Sequence, residues 1–189
     1  MVGTIKRDKR LIPYLKTVIE DAGISVDIDD KFCDDDYAAI KVDGYYAGQR
    51  MAAPPKSVDF VVVVDCQCAS FVMYILEFKN VDGPSGLDIA AIQEKFSNTI
   101  NLFLSDTFSD IFLNDRYKYK DIKLFLISDA YNEVGKFKNH EEFLKFRSRI
   151  NAKDTLKVDL ALSSKLYKFR GRLLRISYDI PPNPVITHT

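Results

Sequence analysis

The sequence predicts an α/β protein with a mixed central sheet flanked by helices. Three features predict it. Two nearly continuous apolar runs, Asp59 to Val64 and Phe71 to Lys79, are rich in β-branched and aromatic residues, as strands covered on both faces are. A long amphipathic stretch follows them, with Ile89, Ile92, Phe96, Ile100 and Phe103 on one stripe. The overall order is helix, strands, helix, strand, helix, hairpin, which packs as helices layered on a sheet. A chain of 189 residues fits one domain, 1–189.

Taken in order, Leu11 to Ala22 reads as a helix, because Leu11, Leu15, Val18, Ile19 and Ala22 recur at helical spacing. Pro13 is acceptable in its first turn and Gly23 follows as a stop. Ile24 to Asp36 reads as a short edge strand or loop. Ala39 to Tyr46 reads as a hairpin turning at Asp43-Gly44, a dipeptide that favours positive φ. Gly48 to Pro55 is a loop, and the two strong strands come next, joined by the small polar segment Asp65 to Ser70. After the loop Asp82 to Gly86, the helix Leu87 to Leu104 begins, with Ser85 as its cap. Lys123 to Ser128 is a buried strand and His140 to Ile150 a helix. A basic hairpin, about 165–180, turns at Arg170-Gly171, and Pro181 to Thr189 is an extended tail.

Three cysteines, Cys33, Cys66 and Cys68, leave at least one thiol unpaired, which fits a reducing cytoplasm. Cys66-x-Cys68 lacks zinc-ligand spacing, and His140 and His188 are distant in sequence, so zinc is not expected. His140 reads as a helix-start residue and His188 as a tail residue. No leader or membrane segment is visible, since the apolar runs Phe60 to Val64 and Phe71 to Leu76 are strand-sized. The formal net charge is zero, so bulk electrostatics do not announce a nucleic-acid binder. The charge is unevenly spread, however: Glu20 to Asp36 is acidic and Lys145 to Arg175 is basic.

The two strong strands place chemistry at one end. If their turn centres near Cys68, Asp59 faces Glu77, with Cβ atoms about 5 Å apart. Lys79 lies two residues beyond Glu77 and points to the same side. Two carboxylates and an ammonium then converge on a half-buried sheet, where charges need partners. Magnesium takes one or two carboxylates plus waters and substrate oxygens, which matches this set. A hard metal beside a lysine suits phosphodiester hydrolysis.

Asp59, the apolar strand pair, then Glu77-Phe78-Lys79 resembles the PD-(D/E)XK nuclease signature, a superfamily that includes many type II restriction endonucleases. The resemblance covers roughly Leu11 to Ser128 and implies a restriction-endonuclease-like fold. It implies that Asp59 and Glu77 bind magnesium, that the Phe78 carbonyl joins them, and that Lys79 completes the catalytic set. A helix residue after the lysine strand often reaches the site; Gln93 is the first candidate and Lys95 the second. A glutamate of the preceding helix often lies near the metal; Glu20 is the candidate. The family's proline before the first acid is replaced by Val58, with Pro54 and Pro55 just upstream.

The expectation is therefore a magnesium-dependent endonuclease acting on double-stranded DNA, with manganese able to substitute. A type II restriction enzyme or its catalytic subunit, working as a homodimer, is the first form expected. A repair or junction-resolving nuclease, an RNA-cleaving enzyme and a non-catalytic binding module on the same scaffold are the alternatives. Lys165, Lys168, Arg170, Arg172 and Arg175 form a basic ribbon able to contact DNA phosphates or the major groove. The same residues equally suit an edge hairpin guarded against aggregation.

Overall fold

The computed structural model describes residues 1–130, 142 and 155–188. The expected helix at His140 to Ile150 lies outside the described residues, apart from Glu142, as do Lys145, Arg147, Arg149 and Lys153 of the basic segment. The architecture is mixed α/β, built on a six-stranded mixed sheet. No helix among the described residues is long and apolar enough to cross a membrane.

The chain opens with helix α1 (Val2–Arg7), which buries Val2 and Ile5. The helix expected at Leu11 to Ala22 is not formed. Pro13 stands instead in a 3-10 turn, Ile12–Tyr14, and the chain then runs extended as β1 (Leu15–Lys16), β2 (Glu20–Asp21) and β3 (Ile24–Ser25). The β-branched run Thr17-Val18-Ile19 disfavours helix, and pairing of Leu15 with Ile40 on the sheet edge wins. Ala22 and Gly23, both at positive φ, form the two-residue turn of the β2–β3 hairpin rather than a helix stop.

The hairpin expected at Ala39 to Tyr46 is also corrected. Strand β4 (Tyr37–Lys41) leads straight into helix α2 (Val42–Gly48). Val42, Tyr45 and Tyr46 are all buried, at the i, i+3, i+4 spacing of one helix face. Asp43 therefore opens a helix, where an acidic residue is favoured, instead of a tight turn.

The central pair is β5 (Phe60–Asp65) and β6 (Ser70–Lys79), antiparallel, with Phe60 opposite Leu76 and Val64 opposite Val72. The register is centred on Cys68, as the apolar pattern predicts. Strand β7 (Lys118–Ser128) runs parallel to β6, and the last strand, Ile176–Asp179, lies parallel beyond it. Between β6 and β7 runs helix α3 (Ile89–Asn98), capped by the Asp88 carboxylate on the Ala91 amide at 3.0 Å, not by Ser85. It continues as a π-helical segment, Thr99–Thr107, and a short helix α4 (Ser109–Phe112). Ile92, Phe96, Ile100 and Phe103 from this stretch pack with Val61, Val63, Met73 and Ile75 of the sheet. Each such side chain contributes about 2 kcal/mol by leaving water. The other face is closed by Ile19, Ile24 and Val26 of the hairpin region, and by Ile186 of the tail.

Helix α5 (Thr155–Ser163) precedes a short hairpin of β8 (Tyr167–Phe169) and β9 (Arg172–Leu174). Its turn is Arg170-Gly171, with both residues at positive φ. The expected ribbon stops at Leu174, because β10 (Ile176–Asp179) leaves it to pair with β7. The tail is packed rather than loose: Ile186 is fully buried and bridges Ile28.

Candidate active site

The β5–β6 register sets the first relationship. Continued one step past Phe60 and Leu76, it places Asp59 beside Glu77. Asp59 is anchored twice: its carboxylate accepts the Phe78 amide at 2.7 Å, and its carbonyl accepts the Val42 amide at 2.9 Å. Glu77 shares its face of β6 with Met73 and Ile75, against helix α3, and is fully buried.

Two lysines meet the same oxygen of Glu77. Lys79 Nζ lies 2.9 Å and Lys95 Nζ 2.7 Å from Oε1. Oε2, equally buried, has no hydrogen-bond partner among the described residues. A buried carboxylate oxygen without a donor is costly, and a bound cation is one natural remedy.

Asp59 also belongs to a second cluster. Asp21, Asp43 and Asp59 each present a carboxylate oxygen, and the three oxygens lie within 4.8 Å of one another. Lys41 sits among them, bonded to Asp21, 3.3 Å from Asp43 and 3.9 Å from Asp59. Four carboxylates, Asp21, Asp43, Asp59 and Glu77, thus gather here, and among the described residues they meet three ammonium groups, Lys41, Lys79 and Lys95.

Burial, followed by the charge of Glu77, pushes the Asp59 carboxyl up to about 7, against the Phe78 bond and the fields of Lys95 and Lys41. Burial by itself would lower Lys41, but the Asp21 bond and the charges of Asp59 and Asp43 hold it above the usual lysine value. Lys79 follows the same pattern: burial opposes its charge, and Glu77 more than restores it. The site accommodates its own charge by resisting ionisation of Asp59, which is what an acid pair short of one cation does. The orphaned Glu77 Oε2 and the surplus carboxylate are the oxygen donors a hard divalent ion takes, and Asp59 and Glu77 could hold one.

Of the residues the sequence nominates, Asp59, Glu77, Phe78 and Lys79 are brought together. Glu20 is not with them. It is exposed on β2, and its neighbour Asp21 joins the carboxylate cluster instead, since adjacent strand residues point to opposite sides. Gln93 is also displaced, because its side-chain amide donates to the Ala161 carbonyl at 3.0 Å, and Lys95 from the same helix reaches Glu77. Lys41, Asp21 and Asp43 escaped sequence reading; the buried Val42, Tyr45 and Tyr46 spacing carried the signal that residue 43 opens a helix.

The basic ribbon divides in two. Arg170 donates to the carbonyls of Leu113 and Tyr117 and pairs with Asp115, and Arg172 donates to the carbonyls of Tyr119 and Lys120. The guanidinium groups of these two serve the protein's own carbonyls, although Arg172 is itself exposed. Lys168 and Arg175 are exposed, and Lys165 lies over the Tyr167 ring at 5.4 Å. The cysteines are free, with Cys33 and Cys68 exposed and Cys66 partly buried.

Comparison of the chain with family models, with curated proteins and with solved structures returned no match.

Proposed function

We propose that this chain is a magnesium-dependent endonuclease of restriction-endonuclease-like fold, acting on double-stranded DNA. The observation that carries the reading is Glu77: fully buried, held by two lysines at one oxygen, without a partner among the described residues at the other, and set beside Asp59. The fold is consistent with it: an antiparallel pair joined to a parallel strand through a helix that returns a lysine to the acids.

In this reading Asp59 and Glu77 hold the ion, with the Phe78 carbonyl as a further donor. The ion, when bound, polarises the scissile phosphate and acidifies a water. Lys79 orients that water and faces the charge that develops on the phosphate oxygens. Lys95 holds the Glu77 carboxylate in place through Oε1. Manganese, equally an oxygen-seeking ion, substitutes. Cutting both strands symmetrically calls for a homodimer, which light scattering measures.

Plasmid digestion tests the proposal. Linear or discrete fragments in magnesium, absent with Glu77→Ala, support it. Tight DNA binding with no cleavage in magnesium or manganese would replace it with a binding module, and cleavage of RNA alone would change the substrate.

A further inference from the structure

Helix α3 and the residue that follows it are laced to the segment entering β5 by three contacts, at Lys56 and Val58. Lys56 pairs with Glu94 at 2.8 Å, the Asn98 amide donates to the Lys56 carbonyl at 2.9 Å, and the Val58 amide donates to Thr99 Oγ1 at 3.0 Å. The last bond differs from the others in its surroundings. Val58 and Thr99 are both fully buried, whereas Lys56 and Glu94 are open to solvent. Lys95, one helical turn before Thr99 and on the same side of the helix, reaches Glu77. One face of one helix therefore holds both acid-bearing strands: Lys95 takes the Glu77 carboxylate, and Thr99 takes the peptide amide just before Asp59.

We propose that Thr99 is a positioning residue for Asp59, fixing the spacing between the Asp59 and Glu77 carboxylates. The proposal rests on reading those two acids as a shared divalent-cation site. The Val58 amide lies beyond the ladder, which pairs β5 with β4 and with β6 only as far as Phe60, and among the described residues its acceptor is the Thr99 hydroxyl. Without the Thr99 hydroxyl a buried N–H is left unpaired, and the backbone relieves it only by moving toward water and carrying Asp59 along. Thr99 is also where the regular α-helix gives way to the π-helical segment. The three remaining ties of Asp59, through its own carbonyl, its carboxylate and the strand register, set its neighbourhood. Thr99 sets its approach.

The experiment measures Mn2+ binding by calorimetry on the full chain, below the thermal transition of each variant. Wild type binds Mn2+ and Asp59→Asn abolishes binding. Thr99→Val, which keeps volume and loses the acceptor, weakens the affinity about 10-fold or more, as loss of a partner behind a metal ligand does. Thr99→Ser, which keeps the hydroxyl, restores it. A purely structural Thr99 would lower the melting temperature of Thr99→Val and leave its Mn2+ affinity at the wild-type value. That result overturns the positioning role while the Asp59 loss keeps the cation site standing. Absence of Mn2+ binding by wild type overturns both. If Thr99→Val does not fold, Thr99→Cys, a much weaker acceptor of similar size, takes its place with the same readings.

Discussion

The Asp59 carboxylate accepts the backbone amide of Phe78 across the central strand pair at 2.7 Å. One acid is thereby tied to the strand that carries the other, and the β5–β6 register brings Asp59 and Glu77 side by side. Both acids are then held in place with a shared deficit of positive charge.

Glu77→Gln removes the charge that Lys79 and Lys95 neutralise and that a bound ion needs. Even partners behind a metal ligand are worth about 10–100-fold in affinity or activity, so loss of a ligand itself should cost at least about 100-fold in magnesium-dependent cleavage. Plasmid nicking rates at saturating magnesium check this.

The Asp59 carboxyl titrates near 7 in the folded protein and near 3.8 as an ordinary aspartate. Its folded value is raised, so between these pH values the folded state holds a proton that the unfolded state has released. Its contribution to stability is therefore present at low pH and lost as pH rises toward 7, by at most about 4 kcal/mol in total. Metal-free protein should melt at falling temperature from pH 4 to pH 8, and Asp59→Asn should flatten that fall. At pH 8 magnesium should raise the wild-type melting temperature and leave that of Asp59→Asn unchanged. Thermal scans in chelator and in magnesium measure both.

Lys95→Met should lower cleavage by about 10-fold or more, because the buried Glu77 loses one of its two cations. Gln93→Ala should cleave at the wild-type rate, since its amide serves the Ala161 carbonyl. A parallel time course of the two variants separates the two helix positions.

Arg170→Ala should lower stability by about 1–3 kcal/mol, because the carbonyls of Leu113 and Tyr117 lose their charged donor. Lys168→Ala and Arg175→Ala, both exposed, should leave stability unchanged and each reduce the salt dependence of DNA binding by a slope of about 1. Urea denaturation and DNA titrations at several salt concentrations distinguish the two kinds of basic residue.

The strand pair and its acids were legible because the signals were local and mutually consistent. Apolar strands, a small polar turn around Cys68 and the mirror register put Asp59 opposite Glu77 without help from distant residues. The N-terminal segment was not legible for the converse reason. Leu11, Leu15, Val18 and Ile19 have helical spacing, yet Leu15 is used on the sheet edge and Val18 is exposed, so tertiary pairing overrode the local pattern. That error carried Glu20 into the candidate site in place of Asp21. Gln93 and Lys95 flank the buried stripe of Ile92 and Phe96 on opposite sides. Which flank meets the acids depends on how the helix lies across the sheet, and periodicity alone does not specify that.

A crystal soaked in Mn2+ tests the central claim most directly, by anomalous scattering at the metal's absorption edge. The account predicts a peak bridging Asp59 and Glu77, about 2.0–2.2 Å from an oxygen of each, with Glu77 Oε2 among the ligands. No peak at that position, or a peak held by Asp21 and Asp43 without Glu77, would contradict it.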